Sequence, residues 1–293
     1  MASPAYRFID GALYRRHTTP YAFDLRIHDL GGGHNESLIL PRYGWSEVDA
    51  TERCLADAAM SQGHVRDQEN GVWVPSTVSA AEQAQKDADN KERSVRRART
   101  KVRRLIKSKD LNTMLTLTYR ENMVDRARMQ RDFDVFMKRV RRIFPGFQYV
   151  CVFERQKRGA WHAHIAVHRL LSHYVVKGVM VKSYDLLRTV WRAVVGEGNV
   201  DVSKAVRRRR CSVAKLAGYL SKYISKGFDE CEGGDSYRAS GKSLPPPLIV
   251  RSSYTQLSDA VVDLFDLLAG SLQEDTYTAL LDGGGFYLSS SPP

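Results

Sequence analysis

Trp161-His162-Ala163-His164-Ile165-Ala166-Val167 sets two histidines on either side of one small apolar residue, and a β-like run follows. In a strand, successive side chains alternate between faces, so His162 and His164 project the same way. Two imidazoles side by side on a sheet suit a divalent metal without distorting the backbone. Upstream, residues 147–154 (FQYVCVFE) are rich in strand formers, and residues 155–159 (RQKRG) make a basic turn. Together the three pieces read as a β-hairpin. Glu154 ends the first strand, where it can lie across the ladder from His162 or His164. Two imidazoles and a carboxylate with open positions suit Mg²⁺ or Mn²⁺ once a phosphate completes the shell. His168 shares the strand parity of the pair and His173 is close by, so either is an alternative to Glu154 as third ligand.

Downstream, residues 211–226 (CSVAKLAGYLSKYISK) carry Leu216, Leu220 and Ile224 at helical spacing, an apolar stripe. Tyr219, Lys222, Tyr223 and Lys226 follow i, i+3, i+4, i+7 spacing and share another face. A phenol oxygen can attack phosphorus, and a nearby ammonium can stabilise charge on phosphate oxygens. Two tyrosines one turn apart stand about 5–6 Å from each other at Cβ. That spacing lets one stay bonded to a strand while the other attacks the next junction.

These residues resemble the His-hydrophobic-His (HUH) superfamily of rolling-circle replication initiators, in particular the phage and plasmid endonucleases with two active tyrosines. Leu115-Thr-Leu-Thr-Tyr119 is similar to the first-strand motif, His162-Ala-His164 to the metal motif, and Tyr219-Leu-Ser-Lys-Tyr223 to the paired nucleophiles. The order is that of the family, and the likeness covers roughly residues 95 to 230. The resemblance implies a ferredoxin- or RRM-like core with a central five-stranded sheet. It further implies Mg²⁺ or Mn²⁺ on His162, His164 and Glu154, with Tyr219 or Tyr223 attacking single-stranded origin DNA. The products expected are a 5′-phosphotyrosine and a free 3′-hydroxyl for rolling-circle synthesis. A phenol titrates near pH 10, so its oxyanion is scarce at neutrality. The metal and Lys222 are expected to supply about 2–4 kcal/mol each toward the transition state. Host helicase and polymerase are the implied partners and a bacterial cytoplasm the implied setting; residues 1–293 contain no G-x-x-x-x-G-K-[ST] motif. An HUH transposase, a relaxase, a non-enzymatic RNA- or DNA-binding domain and a zinc hydrolase are the competing readings.

Composition supports a nucleic-acid partner. Lys and Arg total 45 against 33 Asp and Glu, a formal charge of +12, which favours a polyanion. The charge is clustered. Arg93, Arg96, Arg97, Arg99, Lys101, Arg103, Arg104, Lys107 and Lys109 crowd the second half of one helical stretch. Such density repels itself unless anions neutralise it, so Arg96, Arg97, Arg103 and Arg104 are expected on DNA phosphates. Arg158 in the hairpin turn, the run Arg207, Arg208, Arg209 and Arg210, and Lys226 complete the expected DNA contacts. Cys54, Cys151, Cys211 and Cys231 form no C-x-x-C pair, which fits a reducing cytosol. No signal peptide and no membrane-spanning run is expected.

Four regions follow from the pattern. Residues 1–78 lack sustained periodicity and read as an accessory segment wrapped on the core. Residues 79–110 form the basic helix, opened by a Ser79–Glu82 capping box. Residues 111–232 hold the nuclease: a strand over 112–119, a helix striped by Met129, Phe133, Met137, Val140 and Phe144, the histidine hairpin, a helix over 183–195, a strand over 198–203 and the tyrosine helix. Residues 233–293 read as a linker with Pro245-Pro-Pro247, a short acidic helix over 257–268 expected to pack on the core, and a disordered tail from Gly283. The fold class expected is α+β, an antiparallel sheet with helices on one face.

Overall fold

A computed structural model of the chain describes residues 6–9, 12–49, 51–69, 71, 73–75, 80–168, 170–203, 212–228, 237–241 and 243–293. Strand β1 (Tyr6–Ile9) leads to the long β2 (Ala12–Asp29), which returns as β3 (Asn35–Glu47). Their turn runs through Gly31, Gly32 and Gly33, all at positive φ, where a side chain would be strained. Helix α1 (Glu52–Ser61) and a small hairpin, β4 (His64–Arg66) with β5 (Trp73–Pro75), precede the long α2 (Ala80–Ser108). The central region runs β6 (Thr113–Tyr119), α3 (Arg126–Ile143), β7 (Tyr149–Arg155) and β8 (Trp161–Val167). A short hairpin, β9 (His173–Val176) and β10 (Val179–Lys182), then leads to α4 (Ser183–Val195), β11 (Gly198–Ser203) and α5 (Val213–Phe228). The chain closes with β12 (Tyr237–Ala239), β13 (Leu248–Ser252), α6 (Leu257–Leu267), β14 (Asp275–Leu281) and β15 (Gly285–Ser291). The fold is mixed α+β with antiparallel sheets. Ser79 and the Glu82 side chain of the expected capping box lie outside the described residues.

The central sheet has five strands in the order β11-β6-β8-β7-β12, every neighbour antiparallel. Strand β6 alternates as its sequence requires, with Leu115, Leu117 and Tyr119 on one face and Met114, Thr116 and Thr118 on the other. Helices cover both faces of this sheet, which corrects the expectation of one. On the first face Met129, Phe133, Met137 and Val140 of α3 join Leu187 and Trp191 of α4 over Leu115, Cys151, Phe153 and Ile165. Phe133 meets Tyr149 and Phe153 edge-on at 5.6 and 5.5 Å, a favoured aromatic geometry. On the second face Val102, Leu105 and Ile106 of α2 and Leu216, Leu220 and Ile224 of α5 cover Val150, Val152 and Ala166. Every residue of β8 is therefore buried. Helix α3 starts on the Asp125 carboxylate, which accepts the Arg128 amide at 2.9 Å.

The two ends of the chain form a second sheet together, ordered β1-β2-β3-β15-β14 with β13 on the other side of β2. This overturns two expectations. Residues 6–47 are strands of an independent layer, not a wrapping on the nuclease core. The expected disordered tail is β15, seated between β3 and β14, with Gly283 and Gly284 in the hairpin turn. Phe23, Leu25, Ile39, Phe286 and Leu288 pack under Ala260 and Leu264 of α6, so the acidic helix packs on a core as expected. Leu288 is fully buried there. Leu288→Ala should cost about 2–5 kcal/mol of unfolding free energy, read as a lower urea midpoint; an unchanged midpoint would mean that this strand carries no load.

Helix α2 ties the two sheets together. Glu36 of β3 is completely buried and receives Arg103 Nε at 2.8 Å, Arg104 Nε at 2.9 Å and Lys107 Nζ at 3.1 Å. Lys107 also donates to Ser289 Oγ of β15 at 3.1 Å. Burial alone would raise the Glu36 carboxyl. The three cations overcome that and bring it down to about 2.

Candidate active site

In the β7–β8 hairpin, Glu154 pairs in register with His162 and Val152 with His164. Gly159, at positive φ, closes the turn by donating its amide to Gln156 O at 2.8 Å. Directly paired residues share a face, so both imidazoles and the Glu154 carboxylate gather on the side covered by α2 and α5. His164 Nε2 lies 2.9 Å from Glu154 Oε2. The far nitrogen of each ring is also engaged: His164 Nδ1 lies 3.2 Å from Thr116 Oγ1, and His162 Nδ1 lies 3.0 Å from Gln156 Nε2. Burial, then the charges of His164 and Arg158, lowers the His162 pKa, which favours the neutral ring a metal or proton would need. Thr116 and Gln156 were not among the expected site residues. The only signals for them were the parity of Thr116 along β6 and the place of Gln156 in the hairpin turn.

The stripe Leu216, Leu220 and Ile224 fixes the roll of α5 on the sheet and turns its tyrosines to the histidines. The Tyr223 ring stacks on His164, centroids 4.5 Å apart and planes 15° from parallel. Tyr219 meets Tyr223 edge-on at 5.0 Å, and the Tyr223 hydroxyl donates to the Tyr219 oxygen. The pair is unequal. Tyr223 is 9% exposed and Tyr219 46%. Burial, and then the hydrogen bond to Tyr219, pushes the Tyr223 phenol above its ordinary pKa.

Residues 112–228 match the family model of the replication-associated protein ORF2 type. The matched span starts just before β6 and ends with α5, so every group of this site lies inside it. The match supports a replication initiator protein, consistent with nuclease-type activity and DNA binding. No curated protein and no solved structure matches the chain. Among the described residues no helix is long and apolar enough to cross a membrane.

The expected DNA contacts fall into three groups. Arg96, Arg97 and Arg158 are exposed, Arg96 with a 2.5 Å contact to Glu92. Arg103 and Arg104 are drawn inward onto Glu36 instead of lying open along the helix. Arg207 to Arg210 and the Lys226 side chain lie outside the described residues. Lys222 is exposed on α5. Tyr119 of the first-strand motif donates to Asp132 at 2.7 Å from a buried position, and burial with that bond raises its phenol.

Among the described residues no three of His, Cys, Asp or Glu converge as a ready metal-binding set. The donor types at His162, His164 and Glu154 nevertheless fit a divalent ion. His164 Nε2 and Glu154 Oε2 already face each other, and the outer partners on both Nδ1 atoms are of the kind that orients metal-bound histidines. The alternatives, His168 and His173, are exposed beyond the opposite end of β8 from His162. Glu154 is the acidic group beside the pair.

Proposed function

We propose that this replication initiator is an HUH-type nickase that cuts single-stranded origin DNA by tyrosine attack and later rejoins strands. The observation that carries the reading is Tyr223 stacked on His164 with its hydroxyl bonded to Tyr219: both candidate nucleophiles stand at the paired histidines. Tyr219, the more exposed, acts first. Its oxygen attacks phosphorus, the bond from phosphorus to the 3′ oxygen breaks, and the phosphate stays on the tyrosine as a 5′ link. The phenol proton leaves through water and the departing 3′ oxygen is protonated, giving the free 3′-hydroxyl that primes synthesis. Tyr223 keeps its proton in this step and donates it as a hydrogen bond to the oxygen that attacks. Mg²⁺ or Mn²⁺ held by His162, His164 and Glu154 would supply Lewis-acid polarisation of the scissile phosphate. Thr116 and Gln156 hold the two rings in place, and exposed Lys222 stands one helical turn from Tyr219 and Lys226. Host helicase and polymerase, acting in a bacterial cytoplasm, would separate and extend the strand.

The test is incubation with end-labelled single-stranded DNA and Mn²⁺ followed by a denaturing gel. A protein band carrying label is expected; its absence on origin DNA under all divalent ions tried would overturn the reading. Glu154→Ala should weaken Mn²⁺ binding in a calorimetric titration by about 10–100-fold, and an unchanged affinity would remove Glu154 from the set. A transposase or relaxase shares this chemistry and differs in the sequence it nicks, so cleavage of the replicon's own origin separates them. A binding domain without catalysis would stack bases on exposed sheet aromatics. Tyr119, Tyr149, Phe153 and Trp161 of this sheet are buried under helices.

A further inference from the structure

We propose that the junction of β3, β15 and α2 is an oxyanion site, taking one phosphate-like anion against Lys107, Arg104, His34 and Ser291. The inference is independent of the nickase reading. Three cations, Arg103, Arg104 and Lys107, converge on the single carboxylate of Glu36, which leaves a surplus of two positive charges at a place where Lys107 is almost wholly buried. Uncompensated buried charge is costly. The nearest neighbours do not neutralise it. His28, paired in register with Glu36, and His34 both have lowered pKa values, through burial and then the charges of Arg104 and Lys107 respectively. Asp110 acts on His34 from a distance and makes no ion pair with the three cations among the described residues. Tyr287 and Ser289 are neutral partners of Arg103 and Lys107, and Arg26 adds further positive charge near His28.

Two buried polar atoms mark where the anion sits. His34 Nδ1 and Ser291 Oγ have no hydrogen-bond partner, and both residues are 3% exposed. They are neighbours. The β3–β15 register pairs Glu36 with Ser289 and Asn35 with Ser290, so one step further brings His34 opposite Ser291. Residues two apart share a face, which places both on the side of Glu36 and Ser289, toward Lys107. A bound water would satisfy these two atoms but leave the charge surplus. A tetrahedral oxyanion answers both needs, since it accepts from an imidazole N–H, a hydroxyl and the cations together. Arg103, partly exposed, is the outward edge of the site. The depth of His34 and Ser291 suits a free inorganic phosphate; a backbone phosphate of a strand lying on α2 offers the same chemistry from outside.

Equilibrium dialysis of the full chain against labelled inorganic phosphate, at constant ionic strength in chloride, tests the site. Saturable uptake of one phosphate per chain is expected, about tenfold weaker in Ser291→Ala, which removes only a hydroxyl that bonds to nothing. Lys107→Met should weaken uptake further, and circular dichroism will show whether that variant stays folded. A short oligonucleotide without terminal phosphates that displaces the label would support the site with strand phosphate as its source. No saturable uptake by the unmodified chain, or equal uptake by Ser291→Ala, would overturn the proposal.

Discussion

Tyr219→Phe combined with Tyr223→Phe is expected to abolish covalent attachment to origin DNA, on the order of 10³-fold or more, as loss of a covalent nucleophile does elsewhere. Each single change should leave part of the activity, because the other oxygen remains one helical turn away. The two singles should differ. Tyr219 is exposed and receives the hydrogen bond, so Tyr219→Phe should suppress first cleavage more than Tyr223→Phe. Tyr223→Phe keeps the ring on His164 and removes only the donated hydrogen bond. Its main loss should be in the second transfer, when a new junction must be attacked while Tyr219 holds the strand. Quantifying labelled adduct on a denaturing gel, with a substrate for one cut and another for cut and rejoin, separates these outcomes. Undiminished attachment in the double variant would end the case for both tyrosines.

The core of that site was legible because its signals are local. The parity of His162 and His164, the basic turn with Gly159, and the four-residue step of Leu216, Leu220 and Ile224 each follow from the period of one element. The partners of the rings were not. Thr116 reaches His164 only because β6 and β8 adopt one particular register, and nothing in either strand alone fixes it. The two-sided cover of the central sheet did have a signal: residues 149–153 and 165–167 are nearly unbroken apolar runs, as in strands buried on both faces. The narrow seam of Val102, Leu105 and Ile106 looked too slight to make α2 a core helix. Its outer positions are charged because three of them serve Glu36.

The sheet built from the chain ends was illegible for another reason. Strand β2 is interrupted at His17-Thr-Thr-Pro20, where its pairing with β3 slips register, so its alternation breaks midway. Its companions β13 and β15 lie more than 200 residues later. Ser289, Ser290 and Ser291 look like a polar tail until β3 and β14 are placed beside them; Ser290 and Ser291 are then buried. Glu36 likewise reads as one acidic residue in a loop-like segment, although it anchors the contact between the two sheets.

Glu36→Gln is expected to be the most destabilising single change in the protein. It leaves Arg103, Arg104 and Lys107 around a neutral amide in a buried place, and removing one partner of a buried ionic group costs about 3–5 kcal/mol. The pH dependence gives the claim a sign. The folded Glu36 carboxyl is depressed to about 2 from an ordinary 4.5, so its stabilisation is fully present above pH 4.5 and is lost as pH falls toward 2. A shift of that size corresponds to about 3 kcal/mol. Urea unfolding of the parent and the variant should therefore differ most at and above about pH 5, and the gap should close on acidification through that window. Because α2 also carries Val102, Leu105 and Ile106 against α5, the variant should loosen the seat of Tyr223 as well. Hydrogen exchange in α5 should rise along with exchange in β3. A gap that stayed constant from pH 5 to pH 2 would show that Glu36 stabilises the junction by packing and not by charge.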